Sequence, residues 1–171
     1  MKNLKTKLKY PILKKYFEDY LNLKSEVNII NIQCPNSKVI LEEIKKVFLN
    51  KEESILEIDL EDFLDNHYSA NLIGSPSGYV GYDNGGILTE HLIKHPFSVI
   101  VFKNYLGANH IIKGIIKRSL GSGTIIDNKN RIISLKNTIF IFEVKDLKQN
   151  VGFVGVKLAT KIDTFINELL D

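Results

Sequence analysis

Four short apolar runs, at residues 27–32, 54–60, 97–102 and 138–142, recur along the chain, each bounded by turn or charged residues. Runs of this length are too short for helices of their own and have the character of strands buried on both faces. The stretches between them are helical or loop-like in pattern, which favours right-handed crossovers and a parallel sheet. The first run is followed by the breaker Cys34-Pro35-Asn36-Ser37 and then by Ile40, Ile44, Val47 and Phe48 at helical spacing. A strand, a tight turn and a helix in that order open an α/β unit. With 171 residues, 44% of them hydrophobic, the chain can bury one ordinary core but is cramped for two. The expectation is therefore an α/β domain of three layers around a parallel sheet of about four strands.

Outside these runs the pattern is plainer. Residues 1–17 carry six lysines and no acid, which reads as a solvated tail and helix face, and residues 11–23 repeat Ile12, Leu13, Tyr16, Phe17, Tyr20 and Leu21 at helical spacing. Residues 1–24 are accordingly set apart as a basic tail and helix, and 25–171 as the core. Residues 159–170 are helical in pattern, and 127–131, with Gly121 and Gly123 before them, form a polar turn region ahead of the fourth run. A net charge of +3 does not call for nucleic acid or an anionic membrane, and the single Cys34 cannot form an internal disulfide. There is no apolar stretch of membrane-spanning length and no signal-peptide core, so a cytoplasmic location is expected.

The residues most suggestive of a metal or a nucleophile carry little. His91 and His95 stand four apart on an expected helix, but with no third ligand in view they read as exposed histidines, and no metal is expected. His67 reads as structural, and His110 has no special context. The sequence Gly74-Ser-Pro-Ser-Gly78 lacks the central serine of a nucleophile elbow.

The informative segment is residues 72–90, where Gly78, Gly81, Gly85 and Gly86 surround Tyr79 and Tyr82 in a loop whose backbone can come close to a ligand. This block resembles the substrate-gripping loop of the second ATPase module of ClpC/ClpB-type unfoldases, members of the AAA+ class. The resemblance begins at Glu53-Ser-Ile-Leu-Glu-Ile-Asp-Leu-Glu-Asp-Phe and passes through His67. It continues through His95-Pro-Phe-Ser-Val-Ile and Asp127-Asn-Lys-Asn-Arg-Ile-Ile-Ser-Leu-Lys-Asn-Thr-Ile, covering with gaps about residues 25–155. It implies a P-loop NTPase fold of the large-subdomain type, without the small helical lid, in which Tyr79, flanked by Gly78, Val80 and Gly81, contacts unfolded polypeptide.

The same comparison implies a phosphate loop at Cys34-Pro35-Asn36-Ser37-Lys38-Val39, which has no glycine, is two residues short and puts Val39 where a metal-binding hydroxyl belongs. It implies an Asp-Glu pair after the third strand, where this chain has Lys103 and Asn104. An ammonium there repels Mg²⁺, and an amide cannot take a proton from water. The expected sensor asparagine falls at about Lys145. From these departures the chain is expected not to be an enzyme and to use no cofactor. It is expected to act as a pseudo-ATPase that binds a Clp unfoldase or an unfolded polypeptide. An alternative is an ATP-binding chaperone or Clp protease subunit that keeps Lys38 and recruits its missing groups, with ATP and Mg²⁺ as cofactors. A third is an inactive fragment, against which Met1 and a lead-in helix unlike the family's both argue.

Overall fold

A computed structural model describes residues 30–34, 37–45, 52–63, 69–143 and 157–158. The helices expected at 11–23 and 159–170, together with His67 and Lys145, lie outside these residues. The strands are β1 (Ile30–Cys34), β2 (Ile55–Asp59), β3 (Val99–Lys103), β4 (Thr124–Ile126), β5 (Ile132–Ser134), β6 (Ile139–Glu143) and β7 (Lys157–Leu158). The α-helices are α1 (Ser37–Lys45), α2 (Ser69–Ile73), α3 (Ile87–Lys94) and α4 (His110–Ser122).

The main sheet has the order β2-β3-β6-β1-β7. Its first four strands run parallel, in register from Ile55 opposite Val99 and from Val99 and Ile30 opposite Ile139. This is the expected four-strand parallel sheet. β7 pairs antiparallel with β1 and supplies a fifth strand on the exposed edge.

The apolar runs become central strands because both faces are covered. In β3 and β6, Val99 to Phe102 and Ile139 to Phe142 are all buried. One face, through Ile100, Phe102, Phe140 and Phe142, packs with Leu72 of α2, Leu88 and Leu92 of α3, and Ile112, Ile116 and Leu120 of α4. Alternation turns Val99, Val101, Ile139 and Ile141 to the other face, where α1 contacts β6 and buries Ile40, Leu41 and Ile44. Three layers result.

Local signals set the helix ends. The Asn109 side chain accepts a 2.8 Å hydrogen bond from the Ile111 amide at the start of α4, and Gly123 closes that helix at φ 71°. The turn region expected before the fourth run is the tip of a hairpin, in which β4 and β5 pair antiparallel with Ile125 opposite Ile133. Its strands are three residues long and each has a single buried residue, too little alternation to register as strands in the sequence.

Candidate functional site

Two places carry the sequence-predicted residues. The first is the carboxyl edge of the parallel sheet, where open α/β sheets bind ligands. Here β1 ends at Cys34, opposite Glu143 at the end of β6, while β2 ends at Asp59, opposite Lys103 at the end of β3. Ser37 opens α1 and is buried. Its amide donates to Glu143 Oε2 at 3.0 Å and its hydroxyl donates to the same oxygen at 2.7 Å. Helix α1 has no acid of its own in the first turn, so Glu143 supplies the negative charge that its N-terminus favours. Lys38 is exposed on the same helix.

Lys103 Nζ lies 2.5 Å from Glu57 Oε2. That hydrogen bond raises the ammonium pKa above its ordinary value against the opposing effect of burial, and Glu143 and Asp59 add to the rise. Asp59, opposite Lys103 in the register, accepts from Asn104 Nδ2 at 2.8 Å and from the Glu61 amide at 3.1 Å. The lysine lies back along β2 to Glu57, which shares a face with Asp59 because strand side chains repeat every second residue. Asn104 adopts φ 54°, a left-handed conformation that asparagine tolerates, and this turns the chain sharply after β3. Glu57 and Glu143 were both missed in the sequence. For Glu57 the period-two pattern was the available signal, whereas for Glu143 only the strand order brings it to α1.

The second place is the loop between α2 and α3. Gly78 and Gly81 both have φ 88°, a conformation that favours glycine, and they flank Tyr79 and Val80. Tyr79 is 71% exposed and Val80 is fully exposed. Backbone bonds from Tyr79 to Pro76, Tyr82 to Tyr79 and Asn84 to Gly81 fold the segment into successive turns. Its base is tied to the β4–β5 hairpin. The Asn128 amide group donates to Ser75 O at 2.8 Å and Tyr82 O at 3.0 Å, while the Asn128 backbone N–H donates to Ile73 O. Lys129 Nζ donates to Asp83 O at 3.1 Å and lies over the Tyr82 ring. A hollow of about 330 Å³ beside the loop is lined by Ala70, Ser75, Val80, Asn84, Ile87 and Glu90 among others.

The hairpin turn is itself braced. Asp127 is buried, accepts from the Lys129 and Arg131 amides, and pairs with the Arg131 guanidinium at 2.5 Å. Burial pushes its carboxyl pKa up, but the hydrogen bonds from Arg131 and Lys129 together outweigh this and hold it below the ordinary value. Arg131 also bridges to Glu90 on α3.

Comparison with known proteins decides the family. A profile of the AAA domain (Cdc48 subfamily) matches residues 24–146. The chain belongs to the AAA+ family. Among its relatives, the chaperone ClpB of Chlamydia trachomatis is 32% identical over 120 residues, 70% of this chain and 14% of that protein. The negative regulator of genetic competence ClpC/MecB of Bacillus subtilis is 38% identical over 108 residues, 60% of this chain and 13% of that protein. The ClpA homolog of Porphyra purpurea, an ATP-dependent Clp protease ATP-binding subunit, is 33% identical over 135 residues, 72% of this chain and 16% of that protein. The chain is thus a Clp-type AAA+ relative with a P-loop NTPase fold, and its match covers about a seventh of the length of these AAA+ proteins.

AAA+ membership overturns the expectation that the chain is not an enzyme, because this is a family of ATPases. The expectation rested on the glycine-free stretch Cys34 to Val39, on Lys103 and Asn104 and on Lys145, each weighed as a single position. The sheet edge, however, draws carboxylates from Glu57, Asp59 and Glu143 on neighbouring strands as well. Nucleotide with Mg²⁺ is what the AAA+ family implies, but in this arrangement the residues do not fit it. A carboxylate faces the helix amide that a phosphate would need, and an ammonium lies among the acids a metal would need. Among the described residues no group of three or more His, Cys, Asp or Glu could hold a metal ion. His91 and His95 are half-buried, not exposed as expected: His91 Nε2 lies 3.3 Å from Ser54 O, and the two rings lie tilted at 39° with centroids 4.9 Å apart. His110 is exposed at the start of α4. No helix among the described residues is long and apolar enough to cross a membrane.

Proposed function

We propose that the chain serves as a polypeptide-binding module of the Clp type, with Tyr79 and Val80 as its contact residues. The observation that carries this is their exposure on a loop that is hinged by glycines at positive φ and anchored at its base by Asn128. An aromatic ring with a polar tip beside a fully exposed aliphatic side chain can contact many unfolded sequences without a fixed register. Charge plays little part at the tip itself, since the run Gly78-Tyr79-Val80-Gly81 has none. The partner is therefore taken to be an unfolded polypeptide, contacted through its apolar side chains.

A permanently unfolded, fluorescently labelled polypeptide titrated against the wild type and Tyr79→Ala tests this. Loss of one buried aromatic contact should weaken binding by about tenfold or more. Equal affinity for the two proteins would remove Tyr79 from the contact. A second reading, an ATP-binding chaperone or protease subunit, is favoured by membership of an ATPase family. It predicts that ATP with Mg²⁺ changes polypeptide affinity in the same titration, whereas the first reading predicts the same affinity with and without nucleotide.

A further inference from the structure

The part of the misfit that lies at the start of α1 comes from one side chain, Glu143. Ser37 is the first residue of a nine-residue helix that follows the first strand of the parallel sheet, the place where this fold presents backbone amides to phosphate. Its amide and hydroxyl both point at one oxygen of Glu143, a residue 106 positions away. The two donors are thus engaged by a carboxylate of the same chain, reached from the end of the adjacent strand. Glu143 also lies close enough to Lys103 to help hold that ammonium charged, and Lys103 is in turn bound to Glu57.

We infer that Glu143 is a tethered anion that occupies the phosphate position at the start of α1, an autoinhibitory contact that phosphate-bearing ligands must displace. The argument rests on charge and geometry. Two donors converging on one carboxylate oxygen make a charge-assisted pair, stronger than neutral hydrogen bonds. A second anion cannot share those donors, and its approach would meet the Glu143 charge at short range. Tethering makes the internal anion the stronger competitor, because it sits at high effective concentration and loses no translational freedom on binding. The contact explains how α1 is held when no polyphosphate is bound. The inference depends on the family's fold and is independent of how the Tyr79 loop is used.

The test supplies the missing anion from outside. Inorganic pyrophosphate is titrated calorimetrically, at fixed ionic strength, into wild type, Glu143→Ala and Glu53→Ala, the last an exposed acid that controls for net charge. Glu143→Ala should bind pyrophosphate about tenfold or more tighter than wild type, with Glu53→Ala within about twofold of wild type. The urea midpoint of Glu143→Ala should fall and be restored by millimolar pyrophosphate, while that of wild type stays unmoved. Should Glu143→Ala not fold, Glu143→Gln, which keeps an oxygen for Ser37 without the charge, should show the same gain over wild type. Equal affinity for wild type and the Glu143 variants overturns the inference. So does an absence of pyrophosphate binding in all of them, or an equal gain in Glu53→Ala.

Discussion

His91 shows how a single side chain gets its properties from its surroundings. Its imidazole, carried on α3, lies against Ser54, and burial lowers its pKa from the ordinary 6.5, with the nearby His95 and Lys94 charges lowering it further and the Ser54 bond opposing. A histidine depressed in the folded state binds fewer protons there than when unfolded. Its stabilisation is therefore complete above pH 6.5 and declines as pH falls from 6.5 toward the folded-state pKa. Urea midpoints measured from pH 8 down to pH 5 should show this decline in the wild type and a flatter profile in His91→Gln, whose amide can still donate to Ser54. A decline of the same size in both proteins would assign it to other groups. The ion pair of Lys103 with Glu57 is a contrasting case. Both side chains are about a third exposed or more, so it contributes on the order of 1 kcal/mol at most and matters for the charge it places.

At the scale of elements, the hairpin and the loop form one unit. Strands β4 and β5 are too short to stand alone, and the turn between them is held by Asp127, Arg131 and Glu90. From that braced turn Asn128 reaches two carbonyls of the 74–86 loop. Asn128→Ala removes both donors and should cost roughly 1–3 kcal/mol while leaving the sheet intact. Limited proteolysis should then cut within 74–86 faster than in the wild type, and polypeptide affinity should fall because the loop is no longer fixed at its base. Unchanged cleavage would mean that the glycine turns hold the loop without the hairpin. Gly86 shows a further local constraint, since a Cβ there would overlap the backbone of Leu72 and Ile73 where the loop re-enters α3.

The whole molecule depends on the face shared by β3, β6 and the three helices α2 to α4. Phe102 lies at its centre, fully buried, with its ring 5.4 Å from Phe142 and 6.1 Å from Phe140. Tyr105 meets Phe142 edge-on at 5.0 Å, and burial pushes its hydroxyl up to about 12. Phe102→Ala leaves a cavity that neither strand can collapse around, at a cost of about 3–5 kcal/mol. For a domain of ordinary stability that is a large fraction of the total. Chemical denaturation should show a much lower midpoint in this variant, with a loss under 1 kcal/mol showing that the core can close around the gap.

Much of this was legible in the sequence, because burial on two faces leaves a mark that a single chain displays. The apolar runs of β3 and β6, the helical stripe of Ile40 and Ile44, and the glycine spacing around Tyr79 all follow from local rules about side-chain direction and backbone freedom. The hairpin was read only as a turn because its exposed Ile126 and Ile132 mask the alternation a strand should show. The ligand edge was partly legible. Lys103 and Asn104 could be located from the end of the third run, but their partners Glu57 and Asp59 were settled by register, and Glu143 reaches Ser37 only through the order of strands. Sequence patterns report which face of an element is buried, a property of near neighbours in the chain. Which charges meet across 106 residues depends on how strands are ordered in the sheet, and that was decided by the packing of the whole fold.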